Sequence, residues 1–334
     1  MINTTRAIIL RERPKGLPTS ETFEIIKEPI SNLRKGELLI RSRYISVDPY
    51  MRNRMNPGAS YITPYALNQV ITGDLLGEVI ESKAQGYIPG DSVVGTLGWR
   101  EYNITSTKQI TRVDVDRIPE SAYLSTLGLT GLTAYFGMLE IGQPKENEVV
   151  VISGAAGAVG SIAGQIARIK GCRVVGIAGS DQKTHYLKEE LHFDKAINYK
   201  KQSNLRKPLK EACPNGIDIY FDNVGGEISD SVMYLLNDHS RVVLCGQIAL
   251  YNLSRMDRGP RMGPQLLIHR TRMQGFNVYD YRSGFSKAKT EISGWLSNGQ
   301  LKGPVNIICG FENIPEAFLG LFRGNNIGKQ LVKL

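Results

Sequence analysis

Cysteine is scarce in this 334-residue chain, with four thiols at Cys172, Cys213, Cys245 and Cys309. No two of them form a C-x-x-C, and no histidine pair stands beside them. That argues against a disulfide framework and against a structural zinc site. The histidines are equally sparse: His185, His192, His239 and His269 include no i, i+4 pair. Long apolar runs are lacking as well. The first residues offer only Ala7–Leu10 before Arg11, too short for a signal-peptide core, so the cytoplasm is the expected location. Residues 149–167 carry no charge, yet nine of these residues are Gly or Ala, and the uncharged run 122–139 is studded with Ser, Thr, Gly and Tyr. Neither has the transfer energy of a membrane span, so no membrane partner is expected. Concentrated charge is absent too. Lys and Arg number 41 against 32 Asp and Glu, a net charge of +9, but the cations are dispersed. The densest cluster, "LRKPLK" at 205–210, reads as a solvated helix face, and no nucleic-acid partner is expected. The excess suits a small anionic ligand.

What is present begins with "VVVISGAAGAVGSIAGQIARIKG", residues 149–171. Val149–Ile152 is a β-branched run that suits a strand buried on both faces. Val159, Ile162, Ile166 and Ile169 then recur at helical spacing, with Ser161, Gln165, Arg168 and Lys170 elsewhere on the cylinder. Gly154, Gly157 and Gly160 therefore occupy a strand-to-helix turn. A helix start presents unpaired N–H groups and a partial positive charge, and glycines let a phosphate come close to them. Gly157, Ala158, Val159 and Gly160 are the expected cofactor contacts. The spacing is Gly-x-x-Gly-x-x-Gly, with Ala155 inside the turn, so the motif alone is not the common dinucleotide fingerprint.

The alternation continues downstream. Strands are expected at 149–153, 173–178, 195–199, 217–222 and 241–246. Helices are expected at 158–170, after a cap at Ser180 or Asp181, at 204–213 and near 227–236. This order implies an α/β fold with a doubly wound parallel sheet and ligands at the carboxyl ends of its strands. Those ends read "SGAAGAVG", "GIAGSDQK", "FDNVGG" and "CGQIALYN", each bearing glycine. Residues 1 to about 122 read instead as short strands broken by Gly and Pro, an irregular β domain or barrel. The final "IPEAFLGLFRGNNIGKQLVKL" reads as a helix, a turn and a last strand returning to that first domain.

An acid at the end of the second strand would bind the ribose 2′-OH of NAD. Ala178 or Gly179 holds that place here, and Lys183 follows four residues after Gly179. A 2′-phosphate would meet no penalty from a carboxylate there and could pair with Lys183, so NADPH is expected. Asp181 is read as a helix cap. Lys183 could equally be an exposed helix lysine.

Seven segments in order, "VDPYMRNRM" (47–55), "GLTGLTAYFGM" (128–138), "GAAGAVGSIAGQIA", "GSDQK", "FDNVGGE", "CGQIALYN" and "GNNIGKQLV" (324–332), resemble the medium-chain dehydrogenase/reductase superfamily. Within it they resemble the prostaglandin reductase, or alkenal/one oxidoreductase, branch. The resemblance implies a Rossmann domain at 126–304 between two parts of a GroES-like β-barrel catalytic domain, 1–125 and 305–334. It implies NADPH-dependent reduction of the C=C bond of α,β-unsaturated ketones and aldehydes, and a homodimer. It also implies cofactor contacts at Tyr199, beside the 2′-phosphate, and at Asn223, Cys245, Gly246, Phe276, Asn277, Val278 and Asn326. Zinc-dependent relatives carry Gly-His-Glu where this chain has "TGDLLGEV", and "SVDPYMR" supplies no cysteine, so zinc is not expected.

Hydride addition to the β-carbon of an enone leaves an enolate whose oxygen needs a donor. Tyr251, just past a strand end, is the expected phenol, and it is also expected to contact the cofactor. The nicotinamide ribose 2′-OH is a competing donor, and Tyr251 could serve only as a wall. Tyr50 is the second candidate, lining the substrate end. A quinone reductase of the same superfamily and an NADPH-binding protein without hydride chemistry stay open as alternatives.

Overall fold

A computed structural model describes residues 2–58 and 60–334. The chain divides into two compact units. One comprises Met1–Leu124, Val305–Asn326 and Gln330–Leu334; the other comprises Ser125–Pro304 and Ile327–Lys329.

In the first unit the chain lays down β1 (Thr4–Leu10), β2 (Phe23–Pro29), β3 (Glu37–Ser46), the short α1 (Met51–Arg54), β4 (Thr72–Ser82), β5 (Ser92–Gly98), β6 (Tyr102–Ser106), β7 (Ile110–Arg112) and α2 (Glu120–Leu124). The second unit follows with α3 (Leu129–Phe136), β8 (Val149–Ser153), α4 (Ala158–Ile169), β9 (Arg173–Ala178), α5 (Asp181–Glu189), β10 (Lys195–Asn198) and α6 (Arg206–Ala212). It continues with β11 (Ile217–Asp222), α7 (Gly226–Met233), β12 (Leu236–Leu244), α8 (Gly263–His269), β13 (Arg272–Gly275) and α9 (Phe285–Ser297). The chain then adds β14 (Val305–Cys309), α10 (Ile314–Arg323) and β15 (Lys329–Lys333).

The first unit is built on antiparallel pairing. Its larger sheet has the order β14-β15-β3-β4-β5-β7, with β6 also on β3, and β1 pairs with β2. The register between β3 and β4 shifts at Leu39/Ile40 and Ser42/Tyr44. Such bulges bend a strand and increase its twist. Where β4 crosses β3, a methyl added at Gly77 would lie 2.5 Å from Ile40 Cγ2 and 2.6 Å from the Arg41 carbonyl, so only glycine fits. The core of this unit joins both ends of the chain. Phe23, Trp99 and Phe318 pack ring against ring at 5.9–6.4 Å, and Trp99 and Phe318 are fully buried.

The second unit is a six-stranded sheet of order β10-β9-β8-β11-β12-β13, every pair parallel. Parallel strands need crossovers, and α4 through α8 supply them. Relative to β8 the order is 3-2-1-4-5-6, that of doubly wound dinucleotide folds. Val149–Ser153 is buried at every position, as a strand covered on both faces requires.

Two elements differ in their bounds from the sequence expectation. The helix near 227–236 stops at Met233, and β12 begins at Leu236. The polar Asn237–Ser240 stretch hides that start, and pairing with β11 is irregular there, between Ile217 and Ile219. The uncharged run at 122–139 becomes α3 followed by a π-helical turn over 137–142. The run at 149–167 is split into β8 and α4, as the strand and helix expected there require. Among the described residues no helix is long and apolar enough to cross a membrane.

Candidate active site

The strand order reverses between β8 and β11, so their carboxyl ends flank the crevice where doubly wound folds bind ligands. After β8 the chain turns at Gly154 in the left-handed region, φ +58°. Gly157 caps α4 without a side chain. A methyl at Gly160 would lie 2.5 Å from the Gly154 carbonyl, so this glycine lets the helix close onto the turn. The N–H groups of Ala158, Val159 and Gly160 in the first turn of α4 have no acceptor within the helix. With the helix dipole they form a cradle for an anion, and the pyrophosphate of a dinucleotide fits it. The segment 327–329 borders the same turn. Gly328 N donates to the Ala156 carbonyl at 2.8 Å, and Gly328 bridges Gly157 in parallel.

Asp222, at the end of β11, organises the crevice and was not singled out in the sequence. It is 1% exposed. Its Oδ1 accepts from Ser153 Oγ at 2.9 Å, Tyr220 Oη at 2.8 Å, and the N–H groups of Val224 and Gly225 at 3.0 Å. Its Oδ2 accepts from Ser229 Oγ at 2.6 Å and Gln247 Nε2 at 2.8 Å. Burial, together with the neighbouring carboxylate, holds the Tyr220 phenol far above its ordinary value, so it stays a donor. Asn223 extends the stitching: its N–H donates to Ser153 Oγ and its Nδ2 to the Ser153 carbonyl, at 2.9 and 2.8 Å. One buried carboxylate thus ties together the ends of β8, β11 and β12.

Past β12, the N–H groups of Cys245 and Gly246 both donate to the Asp222 carbonyl, at 2.9 and 3.0 Å. Burial and then Asp222 push the Cys245 thiol up to about 12, which removes it as a nucleophile at neutral pH. The chain makes one 3-10 turn and folds Tyr251 back, so that its hydroxyl oxygen accepts the Gln247 N–H at 3.2 Å. A phenol can donate its hydrogen as well as accept one.

At the neighbouring ends of β9 and β10, Ser180 caps α5 and accepts from the Lys183 N–H at 3.2 Å. The Lys183 ammonium is shifted down by burial and then by the nearby Lys200. A methyl at Gly179 would lie 3.1 Å from Tyr199 Cε1, 3.3 Å from its hydroxyl and 3.4 Å from Lys200 Cε. Lys183, Tyr199 and Lys200 are therefore gathered about the end of β9, and Lys200 is an addition to the residues read from the sequence. Two cations near each other at such a strand end, one of them partly desolvated, suit a phosphate ligand.

Beyond β13, Phe276 packs edge-on to Tyr281 at 6.4 Å and Val278 is buried. The Asn277 side chain is engaged locally, accepting from the Tyr279 N–H at 3.1 Å, and its carbonyl accepts from Asp280 N. All these candidates lie at the carboxyl edge of one sheet. Tyr50 and Asn326 belong to the first unit. Tyr50 starts α1 and packs half-buried against the core of that unit. There, a methyl at Gly73 would meet Met51 Cε at 2.6 Å and Trp99 Nε1 at 3.0 Å, and Asp74 is bonded by Thr96 Oγ1 at 2.5 Å. Among the described residues no three His, Cys, Asp or Glu side chains gather to hold a metal. These residues do not fit a catalytic zinc.

Comparison with known proteins agrees with this architecture. Residues 6–113 match a family described as the N-terminal domain of oxidoreductase, and 158–293 match one described as zinc-binding dehydrogenase. The NADPH-dependent curcumin reductase of Escherichia coli is 37% identical over 98% of this chain and 96% of its own. Prostaglandin reductase 1 of Mus musculus is 40% identical over 97% of both. The crystal structure of CurA from Vibrio vulnificus in complex with NADPH superposes with a TM-score of 0.94 at 40% identity, over 98% of each chain. Full-length likeness at this level decides the matter: the chain belongs to the medium-chain dehydrogenase/reductase superfamily, in the zinc-free branch of the enone and alkenal reductases.

Proposed function

We propose that the protein uses NADPH to reduce the C=C bond of α,β-unsaturated ketones and aldehydes. The observation that carries this reading is its full-length likeness to a curcumin reductase and a prostaglandin reductase, joined to a glycine turn and a cationic strand end that suit NADPH. Curcumin itself contains a C=C bond conjugated to a carbonyl. When bound, NADPH supplies the hydride that the β-carbon of such a substrate accepts.

The chain's own residues do the rest. Gly157, Ala158, Val159 and Gly160 hold the pyrophosphate through backbone N–H groups, and Lys183 and Tyr199 take the 2′-phosphate. Asn223, Cys245, Gly246, Phe276, Asn277, Val278 and Asn326 line the cofactor. Tyr251 donates its hydroxyl hydrogen to the carbonyl oxygen as negative charge develops there, and no metal is needed for that task. Tyr50 lines the substrate. The same reading makes the enzyme a cytoplasmic homodimer. Strand β13 closes the six-stranded sheet with mostly exposed residues, and an open edge of this kind can pair with a second copy.

The test is NADPH oxidation at 340 nm with an alkenal, an enone and a quinone, before and after chelation with EDTA. Turnover of the first two that survives chelation is the expected result. Turnover confined to the quinone would overturn the substrate class, and loss restored by zinc would overturn the donor role. Sedimentation equilibrium gives the subunit count.

A further inference from the structure

The sequence "GIAGSDQK" contains one acid, Asp181, and in NAD-binding folds an acid at this strand end bonds the ribose 2′-OH and repels a 2′-phosphate. Here that carboxylate is engaged on both oxygens. Its Oδ1 accepts from Asn198 Nδ2 at 2.8 Å, and its Oδ2 accepts from Lys201 Nζ at 2.5 Å. Asn198 ends β10 and Lys201 closes the turn that follows it, and Asn198 Oδ1 in turn accepts the Lys200 N–H at 3.2 Å. One short turn, Tyr199–Lys201, therefore faces two ways. Tyr199 and Lys200 approach Gly179, while Lys201 is bound to the acid.

We propose that Lys201 is a positioning residue for cofactor choice: it cancels the charge of Asp181 and turns that carboxylate aside, so that Lys183 and Lys200 meet a 2′-phosphate unopposed. This rests on the NADPH reading above. It assigns adjacent lysines different tasks, Lys200 toward the phosphate and Lys201 toward the acid. Lys201 and Asp181 are both more than 60% exposed, so the pair adds little to folding. The charge it cancels still acts on a phosphate at short range.

The readout is the ratio of kcat/KM with NADPH to that with NADH. In Lys201→Met the uncancelled carboxylate opposes the phosphate, and the ratio falls about three- to tenfold at low ionic strength, less as salt is added. The double variant Asp181→Asn, Lys201→Met removes the opposing charge and returns the ratio to the wild-type value. An unchanged ratio in Lys201→Met overturns the proposal. A fall that the second substitution does not repair also overturns it, because Lys201 would then act on the phosphate itself. A wild-type enzyme with no preference for NADPH defeats the cofactor reading instead, and the wild-type measurement alone reveals that. Both residues are exposed, and thermal melting of each variant confirms that the fold is kept.

Discussion

At the residue scale, the proposed function gives two side chains, Tyr251 and Lys183, separable parts of the reaction. Tyr251 is held by a hydrogen bond to its oxygen from Gln247 N, and Gln247 is itself held by Asp222. Tyr251→Phe keeps the ring and removes the donor. Loss of one oxyanion donor costs roughly 10²–10³ in rate in well-studied enzymes. A smaller fall in kcat, about tenfold, is expected here because the ribose hydroxyl shares the work. NADPH affinity, followed by cofactor fluorescence, should stay the same. Unchanged turnover would pass the role to the ribose hydroxyl or to Tyr50. In the same proposal Lys183 acts on binding instead. Lys183→Ala should raise the KM for NADPH and leave that for NADH nearly unchanged. A charge-assisted hydrogen bond contributes about 1.5–3 kcal/mol, roughly 10- to 150-fold, and the partial exposure of Lys183 favours the lower figure. Burial and Lys200 shift its ammonium downward. Its charge, and with it the preference for NADPH, is thus lost at lower pH than for an ordinary lysine as the solution is made alkaline. Equal loss with both cofactors in Lys183→Ala would assign the residue to structure.

At the element scale, the glycine-bearing turn and its helix were legible because they obey local rules. An apolar run, three glycines and a 3.6-residue period identify β8 and α4 without any knowledge of their neighbours. Strand β13 has no such pattern. Its sequence is Arg-Met-Gln-Gly, mostly exposed at the edge of the sheet, and only pairing with β12 makes it a strand. Asp222 was hidden for a related reason. Its donors come from strand ends and loops up to 69 residues away, a convergence that no local spacing records. Gly164 is another such case, lying in mid-helix where glycine is normally a cost. A methyl there would sit 2.0 Å from Phe193 Cζ, and Phe193 is buried. Gly164→Ala should therefore destabilise by about 1–3 kcal/mol through overpacking, despite the better helix former. Adding Phe193→Leu should recover part of the loss in Tm. A Gly164→Ala variant that melts above the wild type would show that the ring moves aside without cost.

At the scale of the whole molecule, the first unit is assembled from distant parts of the chain. Strands β14 and β15 extend the sheet begun by β3, β4 and β5, and α10 delivers Phe318 between Phe23 and Trp99. Its apolar face is regular: Ile314, Ala317, Phe318 and Leu319 are all buried in the same core. The sequence showed a terminal helix and strand, but the partner ring at Phe23 lies 295 residues earlier (318 − 23) and only the fold brings the two together. Phe318→Ala removes a fully buried ring and should cost about 3–5 kcal/mol. The cavity lies in the first unit, whereas the glycine turn and Lys183 belong to the second. NADPH at 100 times its Kd stabilises whatever it binds by about 2.7 kcal/mol. Calorimetry of Phe318→Ala with and without NADPH should thus show a lowered transition for the unit that lost the ring. NADPH should still raise the transition of the unit holding the glycine turn by as much as in the wild type. If the substitution also abolished that NADPH-dependent rise, the two units would have to unfold as one, and the core around Phe318 would be supporting the cofactor site as well as its own sheet.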